Sequence, residues 1–213
     1  MKVLKFTESI TPITEPITKF GGQPVWISDP QWPLSRTTNE PMRFICQIAL
    51  RPELQLGGQQ MAYVFMTDGE EHVDGTWDPE DGENAVILQP STFDPICEIK
   101  NQAAGPTIEQ RKTGPLTRTF MDRVFKREHT WQEGVELAAH VIDILDDEDT
   151  IGSKLEGDPF WLQNDETPQD GTWLFLVQID SEPILNLNFG DAGVGYAFVR
   201  DDGRAARFLW QCC

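Results

Sequence analysis

Short apolar blocks in which hydrophobic and polar positions alternate, each closed by glycine, proline, asparagine or aspartate, run through most of the chain. Phe44, Cys46 and Ile48 alternate with Ile45, Gln47 and Ala49, the period-two pattern of a strand. Residues 173–179 are apolar at every position except Gln178 and Asp-free, as expected of a strand inside a sheet covered on both faces. Further short strands are expected at 63–66, 85–88, 184–187, 196–199 and 207–210. Punctuation by 17 glycines and 15 prolines fits many strands joined by turns.

The pattern changes in the middle of the chain. After Pro115, Leu116, Phe120 and Val124, with Met121 and Phe125 beside them, fall at helical spacing, and a proline is well placed to open a helix. Thr130-Trp131-Gln132-Glu133 has the form of a capping box, and Val135, Ala138, Ile142 and Leu145 then recur on one helical face. The spacing predicts a second helix ending near Leu145. Asp146, Asp147, Glu148 and Asp149 then fall in the following loop, because four carboxylates at a helix C-terminus oppose its dipole.

The two strand-rich regions resemble each other. Gly22-Gln23-Pro24-Val25-Trp26-Ile27 matches Gly157-Asp158-Pro159-Phe160-Trp161-Leu162, both G-x-P-x-W plus an aliphatic residue, 135 residues apart. Phe44-Ile45-Cys46-Gln47-Ile48 matches Phe175-Leu176-Val177-Gln178-Ile179 at 131, and Tyr63-Val64-Phe65 matches Tyr196-Ala197-Phe198 at 133. Ordered matches whose offsets drift by a few residues are what loop insertions in a duplicated unit produce. The expected organisation is one mainly β, internally duplicated domain over 1–213, with halves at about 18–100 and 152–213 and a helical connector at about 107–151.

Composition narrows the partners. Of 213 residues 39% are apolar, enough for a buried core, and 35 Asp and Glu against 17 Lys and Arg give a formal net charge of −18. Such a field repels nucleic-acid phosphates and anionic lipid, and attracts basic proteins, basic peptides or cations, besides keeping the chain soluble. The expected partner is a basic protein or peptide, with no nucleic acid and no membrane. No apolar run approaches the roughly 18 residues of a membrane span, and the first residues lack a signal-peptide core, so cytoplasmic residence is expected. Cys46, Cys97, Cys212 and Cys213 have no framework spacing and are expected to be reduced; the terminal pair offers two ligands and no closed metal site.

Candidate chemistry is sparse. The G-x-P-x-W tryptophans, Trp26 and Trp161, serve either as core anchors or as ligand-facing aromatics. Gln47 and Gln178 are polar side chains inside strands and require partners, either backbone groups or a ligand in a shared groove between the halves. Asp191 is the one ionisable residue of the glycine-dense loop 188–196, and it either stabilises a turn or belongs to a site. That loop precedes a strand and lacks both the Walker lysine and G-x-G-x-x-G spacing, which excludes a phosphate cradle. Glu70, Glu71, Asp74, Asp78, Glu80 and Asp81 form an acidic run without calcium-loop spacing, either solvated or docking a basic partner. His72, His129 and His140 have no metal-like neighbours in sequence, and no G-x-S-x-G elbow occurs. No cofactor or metal is expected.

With Phe20-Gly21-Gly22-Gln23-Pro24-Val25-Trp26, Trp32-Pro33-Leu34, Phe44 to Ile48 and Gly190 to Tyr196 assembled, the chain resembles the YwqG-like family of uncharacterised bacterial proteins from about residue 18 to its end. The resemblance implies a mainly β, roll-like, duplicated fold and leaves activity open, with an immunity or accessory role in toxin systems as one implied possibility. The first half is also similar to the programmed cell death protein two family, which shares G-G-x-P-x-W, F-x-x-Q and Y-V-F and whose members are chaperones for a basic ribosomal protein. The cysteine pairs expected between the first two motifs are absent around Trp32. The leading functional expectation is a non-catalytic binding protein of chaperone, immunity or adaptor type for a basic polypeptide. The alternative is an enzyme or small-molecule binder using Trp26, Gln47, Trp161, Gln178 and Asp191 between the halves.

Overall fold

Strand formation follows the apolar blocks, and the computed structural model describes residues 2–9, 11–67, 76–108, 110–111, 131–132, 136–143, 152–181, 187–190 and 192–212. In chain order the strands are β1 (Lys2–Glu8), β2 (Lys19–Gly21), β3 (Trp32–Pro33), β4 (Arg43–Ala49), β5 (Met61–Met66), β6 (Asn84–Gln89) and β7 (Ile99–Lys100). They continue with β8 (Gln110–Arg111), β9 (Trp131–Gln132), β10 (Glu136–Asp143), β11 (Lys154–Leu155), β12 (Trp173–Asp180), β13 (Val194–Arg200) and β14 (Ala206–Gln211). The fold is mainly β, and among the described residues the sole helical feature is a 3-10 turn at Pro52–Leu54. No helix among them is long and apolar enough to cross a membrane.

Ten strands form one sheet in the order β14-β13-β12-β11-β1-β10-β2-β4-β5-β6, and every pairing in it is antiparallel. The sheet curls until its two terminal strands, β14 and β6, meet. Alternation then sorts the side chains. Ala62, Val64, Val86 and Leu88 from one end join Val177, Ile179, Ala197, Val199 and Phe208 from the other in a single inner core. The opposite positions form two outer clusters, one around Phe44, Tyr63, Phe65 and Ile87, the other around Val194, Tyr196, Phe198 and Leu209. Both β4 and β12 carry a bulge, between Phe44 and Cys46 and between Phe175 and Val177, so the aromatic residue before each bulge faces outward while the two after it join the inner core.

The strands expected at 44–49, 63–66, 85–88, 173–179, 196–199 and 207–210 lie in β4, β5, β6, β12, β13 and β14. The stretch at 184–187 lies outside the described residues except for Leu187, which is buried and in no strand. The expected helix beginning at Pro115 also falls outside them. The helix expected from Thr130 to Leu145 is corrected, because Trp131–Gln132 and Glu136–Asp143 are strands. Residues 136–143 pair along seven positions with β1 and along three with β2, and hydrogen bonds to two neighbours outweigh a local preference worth tenths of a kcal/mol per residue.

Candidate functional site

An outward apolar sheet face needs a cover, and the G-x-P-x-W segments supply it. After β2, Gly21 and Gly22 adopt consecutive left-handed conformations, φ 67° and 62°, which turn the chain back across the outer face. Gln47, wholly buried on β4, accepts from the Val25 N–H at 2.8 Å and donates Nε2 to the Ile17 carbonyl at 2.8 Å. The Tyr63 hydroxyl donates to the Val25 carbonyl at 2.8 Å. Gln89 then accepts from Ile27 and Ser28 at 3.0 and 3.1 Å and donates to the Asp29 carbonyl at 2.9 Å. Thus strapped, Trp26 lies 4.7 Å from the Tyr63 ring and stacks on Phe65 at 6.2 Å.

The same contacts recur around Trp161. Glu156 and Gly157 take the left-handed pair, φ 58° and 79°. Gln178, wholly buried on β12, accepts from the Phe160 N–H at 2.8 Å and donates to the Gly152 carbonyl at 2.9 Å. The Tyr196 hydroxyl donates to the Phe160 carbonyl at 2.7 Å. Gln211 accepts from Gln163 at 3.0 Å and donates to the Asn164 carbonyl at 2.7 Å. Trp161 lies 4.6 Å from Tyr196 and stacks on Phe198 at 5.9 Å. Burial pushes both tyrosine hydroxyls up to about 12, so they stay protonated donors at neutral pH. Each strap is also flanked by a buried lysine. Lys19 donates to the Gln23 carbonyl at 2.6 Å, and burial pulls the Lys154 ammonium below its usual range despite the Asp158 charge nearby.

Trp26 with Gln47 and Trp161 with Gln178 therefore belong to two separate clusters, and both amide ends of each glutamine are used on backbone. Between the regions 18–100 and 152–213, a space bounded by Ile48, Leu50, Leu155, Leu176 and Val199 has a volume of about 20 Å³, room for a water molecule. Arg51 and Glu156 form an ion pair at its edge. Asp191, Glu70, Glu71 and Asp74 lie outside the described residues. Asp78 accepts from the Glu80 N–H at 2.7 Å, and Glu80 pairs with the guanidinium of Arg207, a buried residue of β14 that also bonds Asp94 at 3.1 Å. Asp81 is exposed.

Sequence reasoning missed Tyr63, Tyr196, Gln89 and Gln211. The last two close β6 and β14 at the same place, Leu88-Gln89 and Trp210-Gln211, a further repeated signal. It also missed Glu83, whose buried carboxylate accepts from Ser35 Oγ and Thr67 Oγ1 at 2.7 Å each and from the Thr37 N–H at 2.8 Å. Burial pushes this carboxyl up, and those hydrogen bonds outweigh it and hold the group below the usual carboxylate range. Beside it opens a cleft of about 410 Å³ lined by Leu34, Arg36, Asn39, Pro95, Cys97 and Glu98. Arg36 is spent on the Glu80 and Ile96 carbonyls at 2.9 and 2.7 Å, and burial pushes the Cys97 thiol up to about 11, the protonated and unreactive form at neutral pH. No group of three or more His, Cys, Asp and Glu among the described residues can hold a metal ion.

A family model described as a domain of unknown function, DUF1963, matches residues 18–212. No curated protein matches the chain.

Proposed function

The chain belongs to the DUF1963 family, and from that premise we propose that it is a non-catalytic binding protein whose acidic surface holds a basic protein or peptide. The observation that carries this is the run 163–170 beside the second aromatic strap. Asp165 and Glu166 are exposed there with no cationic partner among the described residues, and the one cation near Asp170 among them is Arg200, at 4.0 Å. Three carboxylates on one short exposed segment of a chain with net charge −18 are met most directly by Lys and Arg of a partner. The matching straps, bulges and left-handed pairs support a duplicated scaffold, and the meeting of β14 with β6 supports the roll expected from the YwqG-like resemblance.

The test is capture on the immobilised chain of polylysine and of a neutral polypeptide of equal length, across a salt gradient. Retention of polylysine that weakens steeply with salt is expected, with none of the neutral polymer. Equal passage of both polymers at low ionic strength overturns the proposal. The cleft at Arg36 and Cys97 favours a second reading, a small-molecule binder, since its volume of about 410 Å³ lies within the range of ligand pockets. A stabilising hit in a metabolite thermal-shift screen that Arg36→Ala abolishes would select that reading instead.

A further inference from the structure

The two outer faces are strapped alike but closed differently. In the first, β3 pairs with β7 and lays Trp32 over the face, wholly buried, with its indole N–H on the Met42 carbonyl at 2.8 Å and its ring 5.2 Å from Phe65. The Trp26 N–H is taken as well, by the Ala103 carbonyl at 2.9 Å. Met42 and Phe44 beneath are 1% and 0% exposed.

Among the described residues the second face has no such plug. At the offset of 135 residues that relates Trp26 to Trp161, Trp32-Pro33 becomes Thr167-Pro168: the proline stays and the indole is gone. Trp173 and Phe175, which stand at the positions of the closed Met42 and Phe44, are half-buried, while Trp161 and Leu162 are half-buried on this face as Trp26 and Ile27 are on the first. The indole N–H of Trp161 has no partner among the described residues. Carboxylates outnumber cations around this face, although Arg200 borders it and the Arg207 guanidinium lies 5.8 Å over the Trp173 ring, each arginine already paired with carboxylates. Glu166 is near enough to act on the Tyr196 hydroxyl, Asp165 caps Thr167 at 2.9 Å, and Asp170 accepts from the Trp173 N–H at 3.0 Å.

We infer that the outer face of the second half docks an extended basic segment of a partner, which inserts an aromatic side chain where Trp32 sits in the first half and sets Lys or Arg against Asp165, Glu166 and Asp170. This rests on the proposed function and adds its site and its recognition chemistry. The first face shows what an occupant must be: two or three extended residues with one large ring, adding edge contacts to a strapped tryptophan and to the phenylalanine beneath it. The carboxylates select a cationic flank and speed encounter, and the ring supplies the apolar contact that outlasts salt screening.

The probe is a fluorescein-labelled peptide whose centre copies residues 31–34, Gln-Trp-Pro-Leu, with two lysines on each side, titrated with the full chain by anisotropy. Replacing the peptide tryptophan by alanine is expected to weaken binding at least tenfold, and Glu166→Lys, an exposed change, at least fivefold at low salt. Thr167→Trp fills the gap from within and is expected to abolish binding while the circular dichroism spectrum stays unchanged. Binding that is indifferent to the peptide tryptophan and to Thr167→Trp overturns this docking site and leaves capture by charge alone. Failure of any lysine-rich peptide to bind overturns the proposed function with it. Concentration-dependent dimers that Thr167→Trp abolishes overturn the foreign partner in favour of a second copy of the chain.

Discussion

Replacing Gln47 by leucine keeps the side-chain volume and removes both amide bonds. The Val25 N–H, half-buried under the strap, then has no acceptor, while the Ile17 carbonyl belongs to a residue 42% exposed and can turn to water. A buried donor left unpaired costs about 1–3 kcal/mol, and a carbonyl that rehydrates adds about 0.5 kcal/mol, so the expected loss is about 1.5–3.5 kcal/mol. Gln178→Leu strands the Phe160 N–H and the Gly152 carbonyl in the same way and is expected to cost the same. In urea, with a slope of about 2–3 kcal/mol per molar, each variant should lower the unfolding midpoint by roughly 1 M at unchanged slope. The two sites belong to different clusters, so the double variant should lose the sum to within about 0.5 kcal/mol. Midpoints unmoved in both single variants would refute the strap argument and return the glutamines to a groove. A large loss in one and none in the other would refute the equivalence of the two straps.

Three further outcomes follow from single groups. Glu83 has a folded pKa below its unfolded one, so its stabilisation is complete above the ordinary carboxylate range and vanishes as pH falls through the lower, folded value; Glu83→Gln should lose about 2–4 kcal/mol at pH 7 and converge with the parent at low pH in urea titrations. Gly193→Ala would place a methyl 2.1 Å from the Phe189 carbonyl oxygen and 2.2 Å from that of Gln211, so the variant should be recovered unfolded or insoluble, and a native circular dichroism spectrum would contradict the packing of this turn. Burial raises the Cys46 thiol pKa far above neutrality and takes Cys97 up to about 11, so a disulfide reagent at pH 8 should spare Cys46 and label Cys97 slowly until urea is added; Cys46 reacting at the rate of a free thiol would contradict its burial.

The strands flanking the inner core were legible because their own residues state both faces: Tyr63 and Phe65 alternate with Ala62 and Val64, and the two sets face different clusters. Residues 136–143 were not, because one stretch satisfies two periods. Ala138 and Ile142 fit a helical face, while Leu137, Ala139 and Val141 fit a strand, and the choice lies with β1 and β2, more than a hundred residues earlier in the chain. The strand at Lys2–Glu8 went unread although Leu4 and Phe6 alternate with Lys5 and Thr7. For the site, sequence could say that Gln47 and Gln178 needed partners but not that Val25 and Phe160 were those partners. Glu80 is one of six carboxylates in the acidic run, and nothing in the sequence marks Arg207, 127 residues away, as its partner. Trp32 carried no local mark of its role, since a buried plug and a surface tryptophan before proline look alike in one dimension.

The difference between the two outer faces makes the cost of truncating their tryptophans unequal. Trp32 is 0% exposed and bonded to the Met42 carbonyl, so Trp32→Ala removes a full indole from a closed site and orphans a buried acceptor, a loss of about 3–5 kcal/mol. Trp161 is half-buried, so although Trp161→Ala also removes the tilted contact with Tyr196 and the stacking on Phe198, roughly half that loss is expected. Trp32→Ala also leaves a gap on the first face like the one Thr167 leaves on the second, and the Trp-Pro-Leu peptide should then restore part of the lost stability. Unfolding in urea with and without that peptide measures both effects. Equal costs for the two truncations would mean that the Trp161 ring is held as closely as the Trp32 ring, which would contradict its half-burial. A larger cost at Trp32, relieved by the peptide, would mean that an inserted indole closes such a face whether it comes from the chain itself or from a partner.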